Sequence, residues 1–319
     1  MKHVDYSHPR TPRGYLRLYL TGFAMGAADI VPGVSGGTMA FILGIYETLI
    51  NAIKSFDLTA VRLLLARRFG ALFDHVSFRF LLAVGLGILT AVFTLSNLLH
   101  SALETHPLFV FAFFGGLVVA SIVGIGVKIR WNAATAIALL VGTVVAFWLV
   151  GLNPLETADH SPLVLFFSGM IAIMAMILPG ISGSFILLIL GQYQFVLGAV
   201  KSLDLVSIGA LGIGCVIGIL GFSRILSWLL EHHEQVTIAA LVGFMIGSLR
   251  KIWMEVTAGA ELMGGAGAAD IVLGIVLALA GFLLVSFIDH LQSRSNPVFV
   301  RFWKPSESTQ AAADAQGTD

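Results

Sequence analysis

Nearly uncharged stretches of bilayer length recur along the 319-residue chain and constrain its fold more than any single motif. Inside hydrocarbon every backbone N–H and C=O must be paired within the protein, so apolar runs of about 18 residues or more fold as helices. They fall at about 18–53, 79–100, 108–128 and 132–151, and again at about 163–201, 205–230, 236–250 and 268–290. Charged residues make up 11% of the chain, against roughly 25% in a soluble domain, which excludes that class. The formal net charge is zero, so the charge balance points to no nucleic-acid partner. The single cysteine, Cys215, rules out an intrachain disulfide.

Two of these stretches are interrupted. The first carries Asp29-Ile30-Val31-Pro32-Gly33-Val34-Ser35-Gly36-Gly37-Thr38, the second Ile177-Leu178-Pro179-Gly180-Ile181-Ser182-Gly183-Ser184. Proline lacks a backbone donor and glycine accepts left-handed backbone, so each P-G-x-S-G breaks its helix. Broken helices at membrane depth line a cavity or lie buried in protein, so the two breaks are expected to form the working site, which alternating access exposes to either side. The two stretches are also copies. An offset of 147 maps Pro32 onto Pro179, Gly44 onto Gly191, Tyr46 onto Tyr193, Lys54 onto Lys201 and Asp57 onto Asp204. An offset of 127 then maps Gly85 onto Gly212, Gly87 onto Gly214, Glu104 onto Glu231 and His106 onto His233. Matches at Pro, Tyr, Lys, Asp and Glu are not what unrelated apolar helices share, and internal symmetry is common in transporters.

The offsets differ because the first half holds extra residues between Lys54 and Gly85. There Leu58, Val61, Leu65, Phe69, Leu72 and Val76 recur at helical spacing beside Arg62, Arg67 and Arg68. That pattern describes a basic amphipathic helix on the membrane surface over 54–79. Lys and Arg placement sets the topology. If each broken segment enters and leaves on one side, only Lys201, Arg250 and Lys251 lie opposite the side shared by both termini. If both segments cross fully, the basic residues divide almost evenly, which the positive-inside rule disfavours. The expectation is an all-α integral membrane protein of two inverted repeats, each one re-entrant broken-helix hairpin plus three transmembrane helices. The repeats occupy 18–151 and 163–290, joined by an extracytoplasmic linker at 152–162. Segments 1–17 and 291–319 are cytoplasmic, the tail disordered from about 305. No small-residue cleavage site precedes Pro32, so no cleaved signal peptide is expected.

A half-helix that begins deep in the membrane presents free N–H groups and about half a positive charge, which suits a phosphate. Gly33, Gly36, Gly37, Gly180 and Gly183 permit close approach, and Ser35, Thr38, Ser182 and Ser184 add hydroxyls. Arg224 is the candidate counter-charge, with snorkelling to the surface as its other use. Asp29, whose counterpart is Met176, is an intramembrane acid and a candidate for coupling to protons or sodium, or a packing partner for Arg224. Glu47, Pro32 and Pro179 are candidate gating residues. Gly33-Val34-Ser35-Gly36-Gly37 also satisfies the hydrolase string G-x-S-x-G, without its strand-to-helix context. Glu231-His232-His233-Glu234 could ligate a metal but sits at a helix end, where polar residues are solvated. Neither a catalytic residue, a metal nor another cofactor is expected.

The run from Gly22 through Asp29-Ile30-Val31-Pro32-Gly33-Val34-Ser35-Gly36-Gly37-Thr38 to Gly44-Ile45-Tyr46-Glu47 closely resembles the PopT-type polyprenyl-phosphate translocases, formerly a domain-of-unknown-function family. Leu178 to Ser184 and Gly191-Gln192-Tyr193 resemble it too, and the likeness spans about 14–290. It implies recycling of undecaprenyl phosphate from the outer to the cytoplasmic leaflet of the bacterial cytoplasmic membrane, for peptidoglycan and other envelope polymers. A secondary transporter of a small soluble anion, and an intramembrane serine hydrolase, are the other functions these residues allow. Oligomeric state is not legible.

Overall fold

The computed structural model describes residues 11–31, 34–155, 159–293 and 298, so the expectations for Pro32, Gly33 and the far tail lie outside the described residues. The first half comprises α1 (Pro12–Ile30), α2 (Gly36–Ile42), α3 (Tyr46–Lys54), α4 (Leu58–Leu65), α5 (Phe69–His75), α6 (Phe78–Thr105), α7 (Pro107–Gly126) and α8 (Ala133–Val150). The second comprises α9 (Pro162–Ile177), α10 (Gly183–Ile189), α11 (Tyr193–Ser202), α12 (Leu205–His232), α13 (Glu234–Leu262) and α14 (Ala268–Ser293). No strand occurs among the described residues. Six helices are long and apolar enough to cross a membrane: α6, α7, α8, α12, α13 and α14. The pairs α2–α3 and α10–α11 also pass as bent units, which allows up to eight.

Helix starts follow local chemistry. Asp57 caps α4 by accepting from Ala60 N–H at 2.9 Å, and Asp204 caps α12 by accepting from Ser207 N–H and Oγ. Those bonds hold both carboxyls below the usual carboxylate range, led by Ala60 N–H at Asp57 and by the Ser207 hydroxyl at Asp204. At α8, Asn132 and Thr135 form a reciprocal capping box. The element bounds echo the sequence offsets. Gly36 and Gly183, which open α2 and α10, lie 147 apart, and Phe78 and Leu205, which open the equally long α6 and α12, lie 127 apart.

Two local expectations change. Beyond each tip the sequence suggests one emerging half-helix, but the structure has two short helices bent by 118° between α2 and α3 and by 108° between α10 and α11. Gly44 (φ 71°) and Gly191 (φ 67°) supply the left-handed backbone at these bends. The 54–79 insert is likewise two helices, α4 and α5, parted at Arg67 (φ 52°). Leu58, Val61, Leu65 and Phe69 are all exposed on it.

The two halves interlock. α1 packs on α6 and α9 on α12, but α8 packs on α13, and α7 on both α14 and α13. Helices in lipid gain no hydrophobic drive from pairing, so close approach through small residues matters. A Cβ on Gly87 would strike the Tyr19 carbonyl of α1, and one on Gly214 the Phe166 carbonyl of α9. Gly116 is pressed in the same way against Ala278 of α14. Gly85 and Gly212, two residues earlier and so on the opposite side of their helices, face open space.

Candidate functional site

At the end of α1, Val31 N–H bonds the Ala28 carbonyl at 3.1 Å and the chain leaves the helix. Ser35, in extended backbone, then caps α2 by accepting from Gly37 N–H at 3.1 Å. Asp29 turns its Oδ1 onto Gly36 N–H at 2.7 Å. A carboxylate is stabilised at a helix N-terminus for the reason an external anion would be. Asp29 therefore occupies the place such an anion needs. A Cβ on Gly36 would run into that carboxylate, whose Cγ is 2.8 Å away. Val34, Ser35, Gly36 and Thr38 are all buried.

The second tip is built alike and used differently. After α9, Pro179 and Gly180 (φ 94°) turn the chain, and Ser182 caps α10 by accepting from Phe185 N–H at 3.3 Å. The Ser182 and Ser184 hydroxyls lie 3.3 Å apart. Met176 stands where the first half has Asp29, so this tip receives no such carboxylate. Gly183 and Ser184 N–H have no hydrogen-bond partner among the described residues, and Ser184 is exposed. On α13, Met245 and Ser248 back the Gly180 turn, where a Cβ would come 2.5 Å from Ser248 Oγ. One turn further on, the Lys251 ammonium lies 5.2 Å from the Phe185 ring centroid and 2.6 Å from Glu255 Oε1.

The tips touch. Thr38 Oγ1 accepts from Gly180 N–H at 2.8 Å, Ser35 Oγ donates to the Met176 carbonyl at 3.2 Å, and Tyr46 Oη donates to the Ile177 carbonyl at 3.0 Å. Ser35, Gly36, Gly37, Thr38, Asp29, Pro179, Gly180, Ser182, Gly183 and Ser184 thus belong to one locus. Arg224 does not join it by any bond, since its guanidinium donates to the Leu220 and Phe56 carbonyls. Nor does Asp29 pair with Arg224. Glu47 sits exposed in the first turn of α3. Glu231 pairs with Lys54, and His232 stacks on Trp228. From the sequence, Arg250 and Lys251 mark the outer rim, where they could attract an anionic headgroup; the structure sets Lys251 beside Phe185 of the second tip. The three-residue steps Met245, Ser248, Lys251 are the available signal for neighbouring positions on α13.

Six bilayer-length helices, gathered around two polar breaks, make this a multi-pass membrane protein. The chain belongs to the undecaprenyl phosphate translocase-like family, whose model matches residues 25–269. It is 45% identical over 240 residues to the polyprenyl-phosphate transporter of Vibrio cholerae, covering 75% of this chain and 78% of that one. It is 34% identical over 248 residues to the polyprenyl-phosphate transporter of Staphylococcus aureus, covering 72% and 83%. No solved structure matches the chain.

Proposed function

We propose that the protein returns undecaprenyl phosphate from the outer to the cytoplasmic leaflet of the bacterial cytoplasmic membrane, so that the carrier lipid re-enters cell-envelope synthesis. The relatives' names support a polyprenyl phosphate as the cargo. The inequality of the two tips carries the mechanism. The second tip receives the phosphate through Gly183 and Ser184 N–H and the Ser182 and Ser184 hydroxyls, with Lys251 as counter-charge. The first tip is held by Asp29 and becomes an anion site only when that carboxylate is neutralised by a proton or sodium ion. Passing the headgroup between touching tips shields its charge while the prenyl tail stays in lipid. The two halves act as inverted repeats with re-entrant hairpins, the termini cytoplasmic, as the Lys and Arg distribution supports.

Leaflet exchange of undecaprenyl phosphate in proteoliposomes is the direct test. Exchange no faster than in protein-free liposomes overturns the proposal, and uptake of inorganic phosphate without lipid exchange establishes the soluble-anion function instead. A charge-assisted hydrogen bond is worth about 1.5–3 kcal/mol, or about ten- to hundredfold in affinity. Lys251→Met in folded protein is therefore expected to weaken substrate use by at least about tenfold.

A further inference from the structure

We propose that Lys54 and Glu231 form one of two alternating latches, and that Lys201 and Glu104 form the other. The setting rests on the transport function above; the test does not depend on the identity of the cargo.

The closed latch is visible. Lys54, in the last turn of α3, donates to Glu231 Oε1 and Ser227 Oγ of α12, each at 2.9 Å. Ser227 Oγ lies 2.9 Å from Asn51 Oδ1 and 2.8 Å from Glu231 Oε1. Arg224, one turn earlier on the same face of α12, bonds the Phe56 carbonyl just past α3 at 3.1 Å. One face of α12 thus grips the far end of α3, and the two helices pack together.

The offsets that relate the halves carry Lys54 to Lys201 and Glu231 to Glu104. Lys201 lies in the last turn of α11, as Lys54 does in α3, and Glu104 in the last turn of α6, as Glu231 does in α12. Both partners of a second latch are therefore present at matching positions, but the latch is undone. Among the described residues α11 has no packing on α6 comparable to that of α3 on α12. Glu104 instead rests 3.1 Å from His100 on its own helix, at the position that corresponds to Ser227. The exposed serine of the second tip and the sealed first tip belong to the same one-sided state. Exchanging the two halves' conformations breaks Lys54–Glu231 and makes Lys201–Glu104. Ion pairs this exposed are weak and salt-screened, which lets either latch release.

The test uses the full chain in membranes with Cys215→Ser as background. Lys54→Cys with Glu231→Cys, and separately Lys201→Cys with Glu104→Cys, are treated with a short thiol cross-linker. Both pairs are expected to cross-link. Adding Lys54→Gln to the Lys201/Glu104 cysteine pair should raise its cross-linking rate about two- to fivefold, the shift expected from losing one exposed ion pair. Lys54→Glu should do the same, and adding Glu231→Lys should restore the original rate, which also shows that the protein is folded. A Lys201/Glu104 pair that never cross-links while the Lys54/Glu231 pair does, or one whose rate ignores Lys54, overturns the proposal. Either failure leaves the lipid-exchange result untouched, and absence of lipid exchange leaves these rates fully readable.

Discussion

Asp29 is the residue at which the two halves part company. Its carboxylate caps Gly36 N–H, and its counterpart Met176 has no group that could do so. Asn keeps an acceptor at that place and Ala does not, which separates the structural from the ionic part of its role. Asp29→Asn is expected to yield folded protein whose lipid exchange no longer responds to an imposed proton gradient; undiminished gradient dependence in the exchange assay removes Asp29 from coupling. Gly36→Ala drives a methyl into the same carboxylate and is expected to abolish exchange. Gly183→Ala meets its nearest atom, the Ala172 carbonyl oxygen, at 3.1 Å and is expected to be milder. Equal loss in the two variants would show that the tips are used alike. Thr38 and Ser35 are instead engaged across the two tips, Thr38 accepting from Gly180 N–H and Ser35 donating to the Met176 carbonyl.

At the scale of elements, glycine position within a helix decides how near a neighbour can come. Gly87 and Gly214 seat α6 on α1 and α12 on α9, while a Cβ added at Gly85 or Gly212 would meet no neighbouring element within 4 Å. Val at Gly87 or Gly214 is expected to force the helices apart and lower the yield of folded protein on detergent extraction. Ala at Gly85 or Gly212 is expected to leave it unchanged, or raise it slightly through better helix propensity, by about 0.5–1 kcal/mol. A Gly85→Ala variant as damaged as Gly87→Val would mean that backbone flexibility, not close approach, is what α6 requires. The bends at Gly44 and Gly191 belong to this scale too, because they set the directions of α3 and α11, and α3 packs on α12 beyond its bend.

For the whole molecule, the pairing of α7 with α14 and α8 with α13 means that neither half completes its own packing. α7 and α13 are the most enclosed spans, each half buried, and they lie against one another across the join between halves. Cutting the chain within the 152–162 linker should therefore give two fragments that are each degraded alone and stable when co-expressed, measured by their levels in membranes. A first fragment that accumulates folded by itself would show that the halves are independent domains. Interlocking also gives the latches their reach, because movement of one half is carried into helices of the other.

Bilayer-length apolar runs, the doubled P-G-x-S-G and the two offsets were all legible along the chain, because hydrocarbon forces helices on such runs and proline breaks them whatever surrounds them. That the two breaks form one site was expected as well, but the bonds that join the tips, their unequal occupancy and the partners of Arg224 and Lys251 were not legible. These depend on which carbonyl or carboxylate a long or short side chain can reach once helices from distant parts of the chain are packed, and one-dimensional spacing holds no record of that. Sequence alone determined that this protein has two related breaks in a membrane. Only the tertiary structure decided which bonds join them, that Asp29 fills one side of the locus, and that Lys54 has a partner while its twin Lys201 stands apart from Glu104.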